Sequence, residues 1–592
     1  MKHIYFVFLG VLIFSFSFNN SVNSQILPSE RRVNWNQVLT NFDFTYPTNV
    51  INFVTAGGNN TGSIANDALM TSLLNSINSS TGAIIYFPQG TYLFNSTINL
   101  KSNVVLKGES ANNTVLNFNL GGVGHLIQVY GSQTSTESNF SLSASKDVDI
   151  ITVNDASSFQ AGDYIRIIDN DIAKVTSAWA IGTTGQIVKI ESIAANQITL
   201  SSSLRRSYNL VDLPKIVKIT PIVNAGVDNI SINRVDATVS QTANIDVYSA
   251  VNCAFNCIKS INGNFSHISI ANSTNCQVVG SYFRDAFDYG DGGKGYGVVL
   301  KSTAGECLIT NNIFVHLRHS MLLQSGANGN VLSYNYSTNP YWTEPLLPSN
   351  SAGDLVLHGN WPYCNLMEGN IVQNIIIDNS HGLNGNFNTF HRNRAELYGI
   401  FMNDASGDFL NFSSNEVINT GLFMGMYNIT GTNHFQYGNN VKGTIYDSGT
   451  TSATENSMYL TSSLPYYASN SFWPPIGVIA NYNTNNIESK ERYSNNLLTQ
   501  CSTLGITTEN LIQKNNKFTI FPNPTNGILI INGLSAGDCI TIFNVLGKVH
   551  SKFNPTSETF SINTENLQDG VYFCSINSIN NKKTNMRFVK MK

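Results

Sequence analysis

Cys307–Phe314 reads CLITNNIF, Asn330–Ser337 reads NVLSYNYS, Asn365–Val372 reads NLMEGNIV and Thr389–Glu396 reads TFHRNRAE. Each octet is an apolar run, a polar turn holding Asn, and a second run. Following that turn outward gives Asn233, Asn256, Ser281, Asn312, Asn335, Asn370, Asn393, Asn415 and Asn440, at a base interval near 23 residues with longer steps where loops enter. A unit repeated at such a period cannot bury its apolar face alone and must stack on its neighbours. Asn at a fixed bend can hydrogen-bond to the Asn of the next coil, which gives the recurrence a physical cause. The pattern predicts an all-β chain whose main body is a parallel β-helix.

Charged residues are only 12% of the 592, while Asn, Ser, Thr and Gly abound. That mix suits short strands and tight turns better than long amphipathic helices. The formal net charge of −4 carries no signature of nucleic-acid or membrane binding, so no nucleic-acid partner is expected. Lys2 and His3 precede an apolar run from Ile4 to Phe18, and Val22 and Ser24 stand at the −3 and −1 positions of a cleavage before Gln25. This is the pattern of a secretory signal peptide. As an uncleaved anchor the run falls short of the roughly 20 residues a bilayer span needs. Eight cysteines in an exported chain admit disulfides. However, Cys253, Cys257, Cys276, Cys307 and Cys364 lie in or beside apolar runs, which favours stacked, buried free thiols.

These signals divide the chain into a signal peptide (1–24), a linker (25–48), a cap with the first coils (49–129), an inserted β-module (130–209), the main β-helix (210–462), an irregular segment (463–516) and a C-terminal domain (517–592). Asn49 to Ser110 reads as strand, loop, a helix over Ile64 to Ile77, then strands broken at Pro88-Gln89-Gly90. Its runs YFPQGTYLF and NVVLKGES resemble the N-terminal opening of the pectate-lyase-like superfamily. The resemblance implies a right-handed parallel β-helix whose first coil is capped by a helix. The acidic and Gln positions of that opening are kept only in part, so the resemblance speaks for fold more than for activity. In the module, DIITVNDASSFQAGDYIRIID and GQIVKIESIAANQITLSSSL alternate as antiparallel strands closed by Arg205 and Arg206. It reads as a structural insert, or as a lid or wall of a cleft. In 517–592, FPNPTNG, NVLGKV, NLQDGVYF and a basic last strand resemble the C-terminal sorting domain of the type IX secretion system of Bacteroidetes. That resemblance implies a small removable β-sandwich, a secreted or cell-surface protein of a Gram-negative bacterium, and the secretion machinery as a partner. Taken without it, the stretch is a small β-rich module of the carbohydrate-binding kind.

Candidate chemistry concentrates between Ser281 and Arg394. Aligning YGVVLK, HSMLLQ, GDLVLH, QNIIID and YGIFMN puts Lys301, Gln324, His358, Asp378 and Asn403 at one position. Side chains alternate across a strand, and a polar column inside a dry core is costly, so this column is expected to face outward. Arg318 joins it, whereas His319 points inward or sits at the bend. A second polar column, Thr310, Ser333, Glu368, His391 and Ser413, is expected on a neighbouring outer sheet, with Arg392, Arg394 and His381 beside it. The loops 285–295 and 338–353 are expected to build walls.

The expected site takes an anionic polysaccharide. Lys301, Arg318, His358, Glu368 and His391 are its candidate catalytic residues, and Arg392, Arg394, His381, Tyr296, Trp361 and Asp354 its candidate binding residues. Cationic side chains suit uronate or sulfate oxygens; Tyr289, Tyr296, Tyr334, Trp342, Trp361 and Tyr363 suit sugar faces. β-Elimination needs a base at C5 and cations at the carboxylate, and the crowding of basic groups favours it; the pectate-lyase-like resemblance implies Arg, Lys, His or Tyr as the base, here His358 or Arg318, with Lys301, Arg392 and Arg394 at the carboxylate. Hydrolysis needs two carboxylates; Asp285, Asp288, Asp291, Asp354 and Glu368 are available, yet the paired-Asp arrangement of polygalacturonases is missing and SHGLNG at Ser380 echoes their His motif only faintly. A non-catalytic adhesin is the third reading. DAFDYGDGG clusters Asp285, Asp288 and Asp291 as a candidate Ca2+ site without the EF-hand spacing, and Asp354 with Asp378 is a weaker one. A monomer is expected.

Overall fold

The structure is a computed structural model, and it describes residues 26–500 and 518–591 apart from 291–292, 342–351, 448, 452–454, 462–463, 466, 468–471, 545–547 and 578–582. The expected signal peptide, Asp291 and Trp342 lie outside the described residues. Two compact units divide near Leu504. The larger is a parallel β-helix of three strands per coil. One face is a 12-stranded sheet running from Val50–Asn52 to Phe435–Tyr437, and the other two faces join into a second, longer parallel array. A representative coil is Leu308–Thr310, Ile313–Val315 and His319–Leu323, paired in register with Val331–Ser333, Tyr336–Thr338 and Leu355–Leu357 of the next. The helix Asp67–Ser76 closes the first coil, sending Met70 and Leu74 into the cluster of Ile85, Tyr92 and Phe94.

The bend between the first two strands of each coil explains the Asn repeat. Asn312 Nδ2 donates to Asn335 Oδ1 at 3.0 Å, Asn335 to Asn370 at 3.0 Å, Asn370 to Asn393 at 2.9 Å, Asn393 to Asn415 at 3.1 Å and Asn415 to Asn439 at 2.9 Å. The residue before each rung takes a left-handed backbone, at φ 56° in Asn311, 53° in Tyr334, 54° in Arg392 and 53° in Ser414. For a non-glycine residue that turn costs about 1 kcal/mol, offset by the amide bonds it places. The ladder is shorter than the sequence series. It runs from Ser281, whose backbone N–H binds Asn312, to Asn439. Asn440 is one residue off, Asn256 ends a strand, and Asn233 pairs instead with Asn117. Cys253, Cys276 and Cys307 stack in register as expected, and the column continues at the same bend as Asn330, Asn365 and Asn388; this Asn half, with amide bonds of 2.9 Å, escaped the sequence reading. None of the described cysteines is bridged.

Two further departures concern what lies on the outside. Residues 26–48 are no linker. They form a strap along the 12-stranded face, bonding in turn to Asn433, Asn411, Cys364, Glu306, Asn252 and Asp228 through Arg31, Trp35, Asn41, Asp43 and Tyr46. The segment after the last coil, irregular in sequence, also packs back along the helix as far as Gln500, whose N–H donates to Gly280 O at 3.1 Å. The inserted module is a six-stranded antiparallel sheet that runs on to Thr220, beyond the expected boundary at 209, because Lys215–Thr220 pairs with both Ser132–Asn139 and Tyr164–Ile168. The smaller unit packs a three-stranded and a four-stranded antiparallel sheet around Leu529, Ile531, Ile540, Ile542, Tyr572 and Phe588.

Candidate functional site

In-register pairing builds the first polar column. Gln324 N donates to Leu300 O at 3.1 Å, His358 N to Leu323 O at 2.9 Å and Asp378 N to Leu357 O at 3.0 Å. Leu300, Leu323, Leu357 and Ile377 point into the core, so alternation turns Lys301, Gln324, His358 and Asp378 outward. There, Lys301, Gln324 and His358 line a cleft of about 490 Å³ with Tyr296, Arg318, His381, Ser380, Phe265, Gln241 and Trp179.

His358 is its most constrained member. Its Nδ1–H donates to Asp378 Oδ2 at 2.6 Å, which leaves Nε2 for the cleft. Ser380 donates its hydroxyl to Asp378 Oδ1 at 2.7 Å. Burial alone would raise the Asp378 carboxyl, but the bond and charge of His358, with Ser380, hold it below its ordinary value. Asp378 is therefore a carboxylate that fixes one imidazole tautomer. The His381 ring stands edge-on to His358 at 4.8 Å, and burial, then His358, lowers its proton affinity. His319, buried at the start of the strand His319–Leu323, donates Nδ1–H to Gly353 O at 3.0 Å and lies 5.5 Å from His358 and 4.7 Å from Tyr296. Burial, reinforced by His358, pushes it down to about 3. His319 thus supports the cleft from below as a neutral ring.

The cations come from two places. Lys301 lies 4.7 Å over the Phe265 ring, and burial lowers it from its ordinary value against the pull of Asp246. Arg318 donates to Gly290 O at 2.7 Å, a bond that ties the 285–295 loop to the cleft, while its buried Nε has no partner among the described residues. The inserted module supplies the opposite wall. Asn360 accepts the N–H of Thr176 at 2.9 Å and of Ser177 at 3.1 Å, and Trp179, 54% exposed, meets the His381 ring at 5.6 Å. Asp171 holds the same loop by accepting from Gly182 N and Thr184 N. Trp179, Phe265, Gln241 and Ser380 were not found from sequence. For the insert loop no local signal exists; the pairing of His358 with Asp378 was visible as two titratable residues at one column position, one coil apart.

Other expected site residues lie elsewhere. Thr310, Ser333, Glu368, His391 and Ser413 do stack in register, but on the 12-stranded face and beneath the returning segment. Glu368 accepts Met458 N at 2.8 Å, His391 donates to Glu455 O at 2.9 Å, and Arg392 donates to Glu455 O and Ile476 O. Arg394 is paired with Glu416 at 2.7 Å. All four are buried, so they serve packing between the coils and that segment. Trp361 lies against Gly385 at a bend outside the cleft. Tyr334 and Tyr363 are buried. Asp285 and Asp288 are ion-paired with Arg284 and Lys294, and among the described residues no group of three metal-ligating side chains forms.

Asp354 is also sealed off, accepting Gln373 N at 2.7 Å. Burial pushes both Asp354 and Glu368 up to about 7. The unfolded carboxyls release their protons near pH 4, so between pH 4 and 7 the folded chain holds extra protons and stability falls as pH rises. Thermal unfolding of wild type and of the Asp354→Asn, Glu368→Gln double variant checks this. Wild type should lose stability from pH 5 to 8, by roughly 2–4 kcal/mol per group, and the variant should stay nearly flat.

Residues 50–162 match the family model described as rhamnogalacturonase A/epimerase, pectate lyase-like, and residues 519–591 match the secretion system C-terminal sorting domain. No curated protein matches the chain. Among solved structures, the tailspike protein gp49 from Pseudomonas phage LKA1 is similar with a TM-score of 0.50 at 15% identity, over 63% of this chain and 64% of the tailspike. The chain thus spans less than two thirds of the tailspike's length. An exopolygalacturonase from Thermotoga maritima aligns over 70% of this chain and 96% of its own at 10% identity and a TM-score of 0.37. A mannuronan C-5 epimerase module from Azotobacter vinelandii aligns over 66% and 95% at 11% identity and 0.29. The larger unit is a right-handed parallel β-helix whose residues 50–162 are pectate-lyase-like, and residues 519–591 are a type IX sorting domain that marks the chain for export to the cell surface or beyond.

Proposed function

We propose that the protein is a secreted polysaccharide lyase that cleaves a uronate-containing glycan by β-elimination. The observation that carries this reading is the His358–Asp378 pair, 2.6 Å apart, opening on a cleft with Lys301 and Arg318 and, among the described lining residues, no carboxylate. Hydrolysis asks for two carboxyl groups flanking the bond; elimination asks for a base and an electrostatic sink. His358 Nε2 takes the C5 proton, its orientation fixed by Asp378. Lys301 and the Arg318 guanidinium hold the uronate carboxylate, over which the charge spreads. The electron pair becomes the C4–C5 double bond, the C4–O bond breaks, and the leaving oxygen takes the proton of Tyr296, whose phenol burial keeps protonated. Water returns the proton from His358 to Tyr296. A family name that includes rhamnogalacturonase and epimerase accords with a pectin-like substrate.

The test is incubation with pectate, rhamnogalacturonan, alginate and sulfated galactan. New ultraviolet absorbance is expected; reducing ends without it would mean hydrolysis, and binding with neither an adhesin. The pH profile adds a check. Lys301 must be protonated, and burial lowers it from the ordinary 10.5, so turnover should fall on the alkaline side earlier than an ordinary lysine dictates. Lys301→Arg should retain activity and move that limb upward; an unmoved limb would remove Lys301 from the site.

A further inference from the structure

The polar column continues past Lys301 toward the first coils, and its character changes there. Lys301 pairs with Ala271, Ala271 with Tyr248, and Tyr248 with Tyr130. With strands about 4.8 Å apart, Tyr130 stands about 14 Å from Lys301 and about 24 Å from His358 along the helix axis. Between them Ala271 offers only a methyl group, so nothing at that position rises to block a bound chain. Tyr130 and Tyr248 are 42% and 38% exposed, large apolar rings presented to solvent at a place where the fold has no need of them. Their centroids are 6.1 Å apart and the planes meet at 64°.

The surroundings fix both the geometry and the charge of this pair. The Tyr130 hydroxyl donates to the Asp246 carboxylate, which holds the ring in place before any ligand arrives. His125 accepts the Ala243 N–H on Nδ1 at 2.9 Å, so its own proton sits on Nε2, 3.6 Å from Asp246. Burial lowers the proton affinity of His125, with Asp246 opposing and Lys301 and Arg234 reinforcing it; Arg234 is itself paired with Asp236, which leaves Asp246 as the charge at the Tyr130 hydroxyl. The groove is thus cationic around Lys301 and Arg318, and aromatic and anionic around Tyr130 and Tyr248.

We propose that Tyr130 and Tyr248 form a distal sugar platform that binds an uncharged ring of the same glycan whose uronate occupies the Lys301–Arg318 end. Sugar C–H faces stack on tyrosine rings, while a uronate or sulfate there would meet Asp246. The preferred substrate is then a heteropolysaccharide in which neutral sugars are interspersed with uronates, and a homopolymer of uronate is the poorer one. This rests on the cleft reading above and goes beyond it in naming the composition of the chain.

The test compares wild type, Tyr130→Ala, Tyr248→Ala, Tyr248→Phe and Asp246→Asn on two alternating polymers, rhamnogalacturonan and hyaluronan, and two homopolymers, polygalacturonate and polymannuronate. Cleavage and retardation in affinity electrophoresis are both read. On the alternating polymer that wild type prefers, each Ala variant should raise KM about five- to tenfold with kcat nearly unchanged. Tyr248→Phe, which keeps the ring, should recover most of the retardation that Tyr248→Ala loses, and Asp246→Asn should raise the relative rate on the homopolymers. Unchanged KM and retardation in both Ala variants overturn the platform, as does an equal loss on homopolymers. If His358→Ala is inactive at the same time, the cleft reading stands without the platform. Retardation lost in the tyrosine variants but kept in an active His358→Ala supports the platform and sinks the cleft chemistry. A wild type that neither cleaves nor binds any of the four overturns both.

Discussion

His358→Ala is expected to lower kcat by about 10²–10⁴-fold, the usual share of a positioned general base, while the unfolding temperature moves by only a few degrees. The side chain is 14% exposed and its one strong bond runs to Asp378, so its removal leaves a small solvent-reachable gap. Asp378→Asn separates base chemistry from simple packing. An Asn amide can donate to Nδ1 and thereby shift the proton to Nε2, the nitrogen that must be free. A loss of kcat of similar order with KM nearly constant is expected, by the same tautomer logic that governs Ser-His-Asp triads. His358→Ala retaining a tenth or more of wild-type turnover, or Asp378→Asn changing KM alone, would remove the pair from the chemistry.

The second large effect is on stability. Asn370 donates to Leu332 O at 2.8 Å and to Asn393 Oδ1 at 2.9 Å, and its own oxygen accepts the backbone and side-chain N–H of Asn335, both at 3.0 Å. Asn370→Ala strips partners from groups that water cannot reach, at about 1–3 kcal/mol for each orphan. A total of about 4–6 kcal/mol is expected, read as a lower denaturant midpoint. Asn440→Ala is the control: its Oδ1 has no partner among the described residues, and it should cost less than about 1 kcal/mol. Equal losses at the two positions would mean that stacking of the strands, rather than the amide ladder, holds this bend.

The Asn interval was legible because the bend needs a left-handed residue followed by an amide, and that demand recurs in every coil. Lys301, Gln324, His358 and Asp378 were legible as one outward column because strand alternation is local. Alternation says which way a side chain points and nothing about what later covers it. Glu368 and His391 do point outward, yet Met458 and Glu455 close over them from a segment with no period to betray it. Trp179 reaches His381 from 202 positions away through an insert whose docking depends on Asn360 and Asp171, contacts without a sequence pattern. Trp35 was missed for the same reason, although the alternating apolar residues around it were a usable hint.

The strap formed by residues 26–48 bears on how the molecule comes apart. A solenoid whose coils touch only their neighbours frays from its ends and melts piecemeal. Here Tyr46 is tied to Asp228 on an early coil, while Arg31 is tied to Asn411 and Asn433 O near the last. Arg32 also binds Glu455, more than four hundred residues downstream. Terminal coils are thereby stitched to the middle, so peeling either end breaks contacts along the whole length. Every contact of the strap is in place only once the final coil is formed, and its closure turns a repeat array, otherwise free to melt by sections, into one cooperative unit.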